Sequence, residues 1–319
     1  MLPTTRPERA ITSEDRGVAA ATGSQLSDPR GRRVREVHQL TRRVGRQRAG
    51  RFVAEGPQAV REAILAHAAL PGTVVHDLFV TEAAAQRYAG ELAQARSAGL
   101  VPVQVSEQVL AAMTETVTPQ GMLAVCASVD RRLDTVLDGL APTLVAVLVH
   151  VRDPGNAGTV LRTADAAGAD AVLLSEGSVD IHNSKCVRST AGSIFHLPVV
   201  QNLDLAETVD ALRAHGLVVL AADAEGEHDL DDLLDETERG TPQDEPGAQP
   251  PLLARPSAWL FGNEAWGLRP QDRALADVVV RVPIHGRAES LNLATAATVC
   301  LYASARAHRT AGPTSLPGQ

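Results

Sequence analysis

Val282-Pro283-Ile284-His285-Gly286-Arg287-Ala288-Glu289-Ser290-Leu291-Asn292-Leu293 lies near the C-terminus and runs into Ala294 to Arg306. Before it, Ala276 to Val282 is apolar and β-branched and reads as a short buried strand. After it, Asn292 to Arg306 is alanine-rich, a strong helix former with small residues where close packing is needed. The loop between them is polar, and Ser290 is placed to cap the helix, leaving free backbone N–H groups at its mouth. A strand, a glycine-bearing loop and a helix N-terminus together make a common ligand site. The pattern gains force because two earlier strand ends carry polar loops of the same kind, at His150 to Arg162 and Phe261 to Leu268.

Working outward, Leu144 to Val149 is a near-continuous apolar run, the mark of a parallel strand covered on both faces. Strands follow at Ala171 to Leu174, Val218 to Ala221, Ala258 to Phe261 and Val278 to Val282. Helices are expected at Thr159 to Ala167, Ser184 to Ser189, Leu205 to Ala214 and Pro270 to Leu275. This is an open α/β sheet over residues 143–310, with ligands expected at the carboxyl ends of its strands. Asn156, at a loop-to-helix junction, is a natural N-cap, and Arg162 stands about a turn and a half into that helix. A smaller α/β domain is expected over residues 30–130. Its strands are Phe52 to Pro57, Val74 to Val80, Val101 to Val105 and Met122 to Ala127. Its helices are Val34 to Arg48, Gln58 to Ala68, Ala83 to Ala98 and Glu107 to Ala112. Residues 131–142 read as a linker and residues 1–29 as a disordered tail.

The net charge of −8 masks a segregation. Glu225 to Glu245 holds ten acids against Arg239, a local −9 that leaves +1 for the rest. With the prolines that follow, residues 225–256 have the composition of a solvated, mobile insertion. Arg30 to Arg51 holds nine arginines and one acid, Glu36. Such a stripe, with Arg32, Arg33, Arg43 and Arg46 in it, is either a footprint for a phosphate backbone or a solvated helix face. Cys126, Cys186 and Cys300 show neither metal spacing nor a disulfide framework and read as small core residues. His150, His182, His196 and His285 have no ligand spacing, so no metal is expected. No apolar run is long enough to span a bilayer, and Met1 to Gln25 lacks a signal-peptide core, so a cytoplasmic location is expected. G-x-G-x-x-G after a strand, G-x-x-x-x-G-K-[ST], H-E-x-x-H, C-x-x-C and G-x-S-x-G are all missing, so ordinary dinucleotide, P-loop, zinc and hydrolase readings lose their support.

What remains is Asn156-x-Gly158-x-x-x-Arg162, Phe261-Gly262-Asn263-Glu264-x-x-Gly267-Leu268 and Ser290-Leu291-Asn292. In this order, each after an expected strand, they resemble the three motifs of the SpoU/TrmH family of RNA ribose 2′-O-methyltransferases. Arg51 to Pro57 also resembles the opening of that family's substrate-binding domain. The resemblance implies a SPOUT domain with a deep trefoil knot, preceded by a small L30e-like domain. It implies S-adenosylmethionine as cofactor, held largely by backbone groups at Ala222, Phe261, Gly262, Asn263, Ile284, Leu291 and Leu293. It implies a homodimer through the knotted domain, for which Ala294, Ala296, Ala297, Val299, Cys300, Ala303 and Ala305 offer close-packing surface.

The chemistry this implies is modest. A sulfonium methyl group is already activated, so the protein brings a ribose 2′-hydroxyl in line and assists loss of its proton. By family position Arg162 serves that hydroxyl, as base or as the group that holds phosphate and ribose; a guanidinium is a poor base. Asn156 and Asn292 shape the pocket, Glu264 orders the motif loops by accepting N–H bonds, and Ser290 caps the last helix. Arg188 and Ser193 resemble a further family stretch that grips RNA, with a solvated helix arginine as the alternative for Arg188. Ribosomal RNA, 23S in particular, is the expected substrate. The alternatives are a tRNA ribose methyltransferase and an RNA-binding protein of this fold without catalysis.

Overall fold

Side chains on a strand alternate between the two faces of its sheet, and the apolar residues here fill both faces of two separate sheets. The computed structural model describes residues 26–70, 72–240 and 249–310. The first sheet holds β1 (Arg51–Glu55), β2 (Val75–Thr81), β3 (Val103–Val105) and β4 (Met122–Ala127) in the order β1-β4-β2-β3. β4 runs antiparallel to β1 and β2, and β3 runs parallel to β2. Phe52, Ala54 and Ala124 share one buried cluster with α3 (Pro57–Ala69) and α5 (Ala89–Ser97). Val53, Phe79, Leu123 and Val125 face α1 (Arg32–Gln39) and α6 (Glu107–Met113). The expected single helix at Ala83 to Ala98 is two, α4 (Glu82–Arg87) and α5, separated at Tyr88. The expected helix from Val34 to Arg48 likewise divides into α1 and α2 (Arg43–Ala49).

The second sheet is wholly parallel. Its strands are β5 (Leu144–Leu148), β6 (Ala171–Ser175), β7 (Val199–Leu203), β8 (Val218–Ala222), β9 (His228–Asp229), β10 (Ser257–Phe261) and β11 (Val278–Arg281), in the order β7-β6-β5-β10-β8-β11-β9. Leu144, Ala146, Leu148, Trp259 and Phe261 point to one side, among α8 (Pro154–Ala167), α9 (Ser184–Thr190) and α13 (Leu293–Thr310). Val145, Val147, Ala258 and Leu260 point to the other, among α7 (Leu133–Leu140) and α10 (Leu205–Ala214). The buried Trp259 ring donates Nε1–H to Ser304 Oγ at 2.9 Å, which ties α13 to β10.

Four expectations need correction. The linker 131–142 contains α7, whose Val136 and Leu137 are buried against the second sheet. The acidic stretch is no free loop: it contributes β9, α11 (Leu230–Arg239) and a 3₁₀ turn at Leu252–Ala254. Its acids lie on the outer side of α11, while Leu230 and Leu233, with Leu253 beyond, are buried in the core that holds α13. Charge density hid a helical period. Residues 241–248 of that stretch lie outside the described residues, as do residues 1–25 of the tail; Leu26, within the tail, instead bridges β3 at Val105. Lastly, Ala297, Cys300, Ala303 and Ala305 are buried within the chain against the second sheet and α8. The exposed side of α13 carries Val299 and Tyr302 instead.

Candidate active site at the carboxyl ends of the parallel strands

Three loops meet beyond β5, β10 and β11. In the first, Asp153 caps α8 by accepting the Asn156 backbone N–H at 2.8 Å, and Pro154 stands at the first helical position, where its missing N–H costs nothing. Asn156 is therefore a first-turn residue and not the cap, which leaves its side-chain amide free. Lys185 Nζ reaches Asp153 at 3.0 Å, and that hydrogen bond with the Asn156 N–H holds the Asp153 carboxyl below the usual carboxylate range.

The second loop is a closed turn. Asn263 and Gly267 exchange backbone hydrogen bonds at 2.9 Å each. Asn263 Oδ1 accepts from Ala265 N at 2.9 Å, and its Nδ2 donates to the His150 carbonyl at 2.7 Å. A Cβ on Gly262 would come within 2.3 Å of the Gly267 carbonyl carbon, so only glycine lets the two sides of the turn approach. The turn presents Glu264, which accepts from Arg152 N at 3.3 Å, Asp153 N at 3.1 Å and Asn156 Nδ2 at 3.3 Å.

The third loop leads into α13. Asn292, not Ser290, is its cap: Oδ1 accepts from Ala294 N at 2.9 Å and Thr295 N at 3.4 Å. Ser290 is exposed. With its oxygen so used, Asn292 turns Nδ2 to Asn156 Oδ1 at 3.1 Å. Glu264, Asn156 and Asn292 thus form one line across the three loops, and each amide has its orientation set by its neighbour. Arg162 is exposed, and among the described residues nothing pairs with its guanidinium.

Beside this line lies a cavity of about 560 Å³. Of the residues expected to hold a cofactor, Ala222, Gly262, Asn263, Ile284, Leu291 and Leu293 line it. Phe261 does not; it is 1% exposed and belongs to the core. Ile284, Leu291 and Trp266 stand 37, 36 and 44% exposed around the cavity, apolar surface open to a ligand. Sequence reading passed over Trp266, whose ring carries the Arg152 guanidinium at 5.1 Å, and Arg273, which pairs with Asp223 and Glu225 at the rim. The order Asp153-Pro154 was the available signal for the true cap.

The residues expected to bind RNA divide. Arg46 is 4% exposed; its Nε and Nη2 donate to Asp180 Oδ2 at 2.9 and 2.7 Å, and Nη1 donates to the Leu40 and Thr41 carbonyls. Burial alone would raise the Asp180 carboxyl, but hydrogen bonds from His182 and Arg46 outweigh it and hold it far below its ordinary range. Arg188 is exposed and donates Nη1 to Glu55 at 3.2 Å, so its guanidinium is shared between that carboxylate and solvent. Ser193 is buried. Arg46 and Arg188 instead fasten the first sheet to the second, alongside Phe52, whose ring packs 4.6 Å from His182 and 5.9 Å from Phe195. Arg43 is exposed, and Arg32 and Arg33 line a groove of about 560 Å³ with Arg48 and Arg51. The three cysteines are buried, and burial pushes their thiols up, away from nucleophilic chemistry. No metal-binding group of His, Cys, Asp or Glu occurs among the described residues, and no helix among them is long and apolar enough to cross a membrane.

Comparison with known proteins identifies both domains. The model of the SpoU rRNA Methylase family matches residues 143–302, and that of the MRM3-like substrate binding domain matches residues 31–124. The chain is similar to the Bacillus subtilis 23S rRNA (guanosine(2553)-2′-O)-methyltransferase RlmP, 33% identical over 278 residues, covering 87% of this chain and 98% of that protein. Its fold is similar to an AdoMet-bound rRNA methyltransferase from Sinorhizobium meliloti, with a TM-score of 0.70 and 26% identity over 89% of this chain and 97% of the other. It is equally similar to the SpoU methyltransferase AviRb from Streptomyces viridochromogenes in complex with AdoMet, with a TM-score of 0.70 and 27% identity over 88% and 100%.

Proposed function

Because the chain belongs to the SpoU rRNA Methylase family, we infer that it methylates a ribose 2′-hydroxyl of 23S ribosomal RNA, with S-adenosylmethionine as the methyl source. The observation that carries this reading is the line Glu264–Asn156–Asn292 beside a cavity with uncovered apolar walls. That cavity suits the cofactor: the Gly262 turn gives backbone access, while Ile284 and Leu291 offer surface for an adenosine. When bound, the sulfonium supplies an activated methyl group.

The chain's own residues do the rest. Glu264 fixes Asn156, and Asn156 fixes Asn292, so the two amides present a preset surface to the ribose hydroxyl. Arg162, unpaired among the described residues, holds the phosphate and ribose of the target nucleotide and keeps the hydroxyl in line. A guanidinium remains protonated at neutral pH, which favours this positioning role over that of base. Arg48 and Arg51, beside Arg32 and Arg33 in their pairs with Glu36 and Asp77, offer the RNA backbone a groove with Val37, Leu40 and Val125 in its walls. On this reading the protein works in the cytoplasm, beside the ribosomal RNA it modifies.

Three finer features belong to the same reading. After β10 the chain forms β11 beyond β8, then returns past the cavity to lay α13 against β5, β8 and β10; this path supports a trefoil knot. The exposed Val299 and Tyr302 on α13 support a homodimer through this region. The small first sheet with helices on both faces supports an L30e-like substrate-binding domain.

The function is tested by incubating the protein with S-adenosylmethionine and 23S rRNA from a strain lacking it, then mapping ribose methylation. One new 2′-O-methyl nucleotide in 23S rRNA is expected. Methylation of tRNA alone, or of no RNA, would overturn the assignment.

A further inference from the structure

The chain has two tryptophans. Trp259 is fully buried in the core, whereas Trp266 stands 44% exposed at the mouth of the site. Its exposure is imposed by the turn that carries it. The Asn263–Gly267 pairing, the Asn263 side-chain bond to Ala265 and its grip on the His150 carbonyl leave the intervening residues no route into the core. An indole is among the largest apolar surfaces a chain can leave in water, and one held out by so determined a backbone is built to meet a ligand.

The Arg152 guanidinium lies over the same ring, 5.1 Å from its centre. Among the described residues no carboxylate pairs with that guanidinium. The Arg152 backbone N–H is held by Glu264, two residues before Trp266 in the turn. Glu264 also holds the Asn156 amide. One carboxylate therefore sets the place of both the stacked pair and the amide beside which the ribose hydroxyl has to sit.

We propose that Trp266, with Arg152, is the platform on which the nucleobase of the target nucleotide stacks once it leaves the RNA stack. The proposal rests on the 2′-O-methyltransferase reading and adds to it the group that orients the base. A ribose hydroxyl within a helix is crowded by its neighbours, so RNA enzymes splay the nucleotide out and stack its base on aromatic rings or guanidinium planes. Such stacking accepts every base, so the platform orients the nucleotide without choosing it. The charge of Arg152 adds attraction to the adjacent backbone. Because Trp266 also lines the cavity assigned to S-adenosylmethionine, the test has to separate nucleobase from cofactor.

Tryptophan fluorescence does so, since Trp259 is shielded and a change in emission reports Trp266. Saturating S-adenosylhomocysteine should leave emission nearly unchanged, and an unmodified 23S rRNA transcript added next should quench it. Trp266→Ala should lower kcat/KM for the transcript about 5- to 100-fold, the effect of losing one base stack, with the Kd for S-adenosylmethionine within about twofold of wild type. Trp266→Phe keeps a ring and should restore most of the activity, which guards against a folding defect in the alanine variant. Arg152→Gln should act in the same direction and less strongly. Quenching by S-adenosylhomocysteine alone, with cofactor affinity falling as far as kcat/KM in Trp266→Ala, would assign the ring to the cofactor and overturn the proposal. So would an alanine variant that methylates like wild type, or a methylating wild type whose Trp266 the transcript leaves unquenched. A wild type that methylates no RNA would count against the proposed function itself.

Discussion

Glu264 and Glu55 each gather three hydrogen-bond donors, yet they serve opposite ends. Glu264 is exposed and receives two backbone N–H groups and one side-chain amide at 3.1 to 3.3 Å. The Glu55 side chain is 4% exposed, and a single oxygen receives Thr114 and Thr116 hydroxyls at 2.7 and 2.8 Å and the Arg188 guanidinium at 3.2 Å. Its other oxygen is buried without a partner. A charge left in water is inexpensive to keep and remains available to order loops around a ligand. A charge taken out of water must be satisfied by the protein, and its partners are consumed in doing so. The same division separates Arg162, unpaired among the described residues, from Arg46, which is locked between the two sheets.

If that division is right, Arg162→Ala has the largest effect on chemistry. Turnover should fall about 100-fold or more, as misplacement of the reacting groups does, with cofactor affinity nearly intact. Radiolabelled methyl transfer and calorimetry measure the two, and turnover above a tenth of wild type would remove Arg162 from the site. Next comes the paired substitution of the two glutamates. Glu55→Ala strands a partly buried guanidinium and two hydroxyls and should cost about 2–4 kcal/mol in urea unfolding. Glu264→Ala should cost under about 1 kcal/mol, because its donors can turn to water, while lowering kcat. The reverse order of the two stabilities would dissolve the contrast.

A third variant tests the acidic stretch. Leu233→Ala should cost about 2–4 kcal/mol, since the side chain is buried beneath α11. An unchanged melting temperature would return this segment to solvent. The smallest effect belongs to His196, which joins Asp165 of α8 at 2.7 Å to Glu62 of α3 at 3.2 Å. Burial lowers its pKa, but the two carboxylates outweigh burial and raise it above 6.5. A raised folded pKa gives stability that is full below the unfolded value and is lost as pH rises through the folded one. His196→Gln should therefore lower the melting temperature by a few degrees near pH 6 and barely at all near pH 9, the imidazole being partly exposed. An equal loss at both values would mean that the charge is idle.

Much of this was legible in the sequence where one physical rule dominates. Strands buried on both faces read as unbroken apolar runs, and β5, β8 and β10 appear almost at their observed bounds. Glu264, Asn156 and Asn292 were picked out by their resemblance to family motifs, and the loops that carry them, each after a strand, meet in the fold. What escaped depends on partners distant in sequence. Nothing local to Arg46 announces Asp180, and nothing near Arg188 announces Glu55. Asn156 and Ser290 were mistaken for caps because capping propensity is shared by neighbours; the Asp153-Pro154 order marks the first true cap, and backbone geometry shows Asn292 to be the second. α11 was hidden by its own charge, and the alanines of α13 by the assumption that one protomer could not bury them all.

The position of β10 bears on how the chain is made. This strand sits between β5 and β8 at the middle of the second sheet, yet it is the next-to-last strand in the sequence. While the ribosome is still adding residues 223–256, β5 and β8 have no neighbour to join them, and their facing edges stay open. Closure waits for Ser257–Phe261, and the seal of α13 over Trp259 waits for Ser304. Late arrival of the central strand predicts slow, largely post-translational folding, with a window in which the nascent sheet would gain from chaperone shelter.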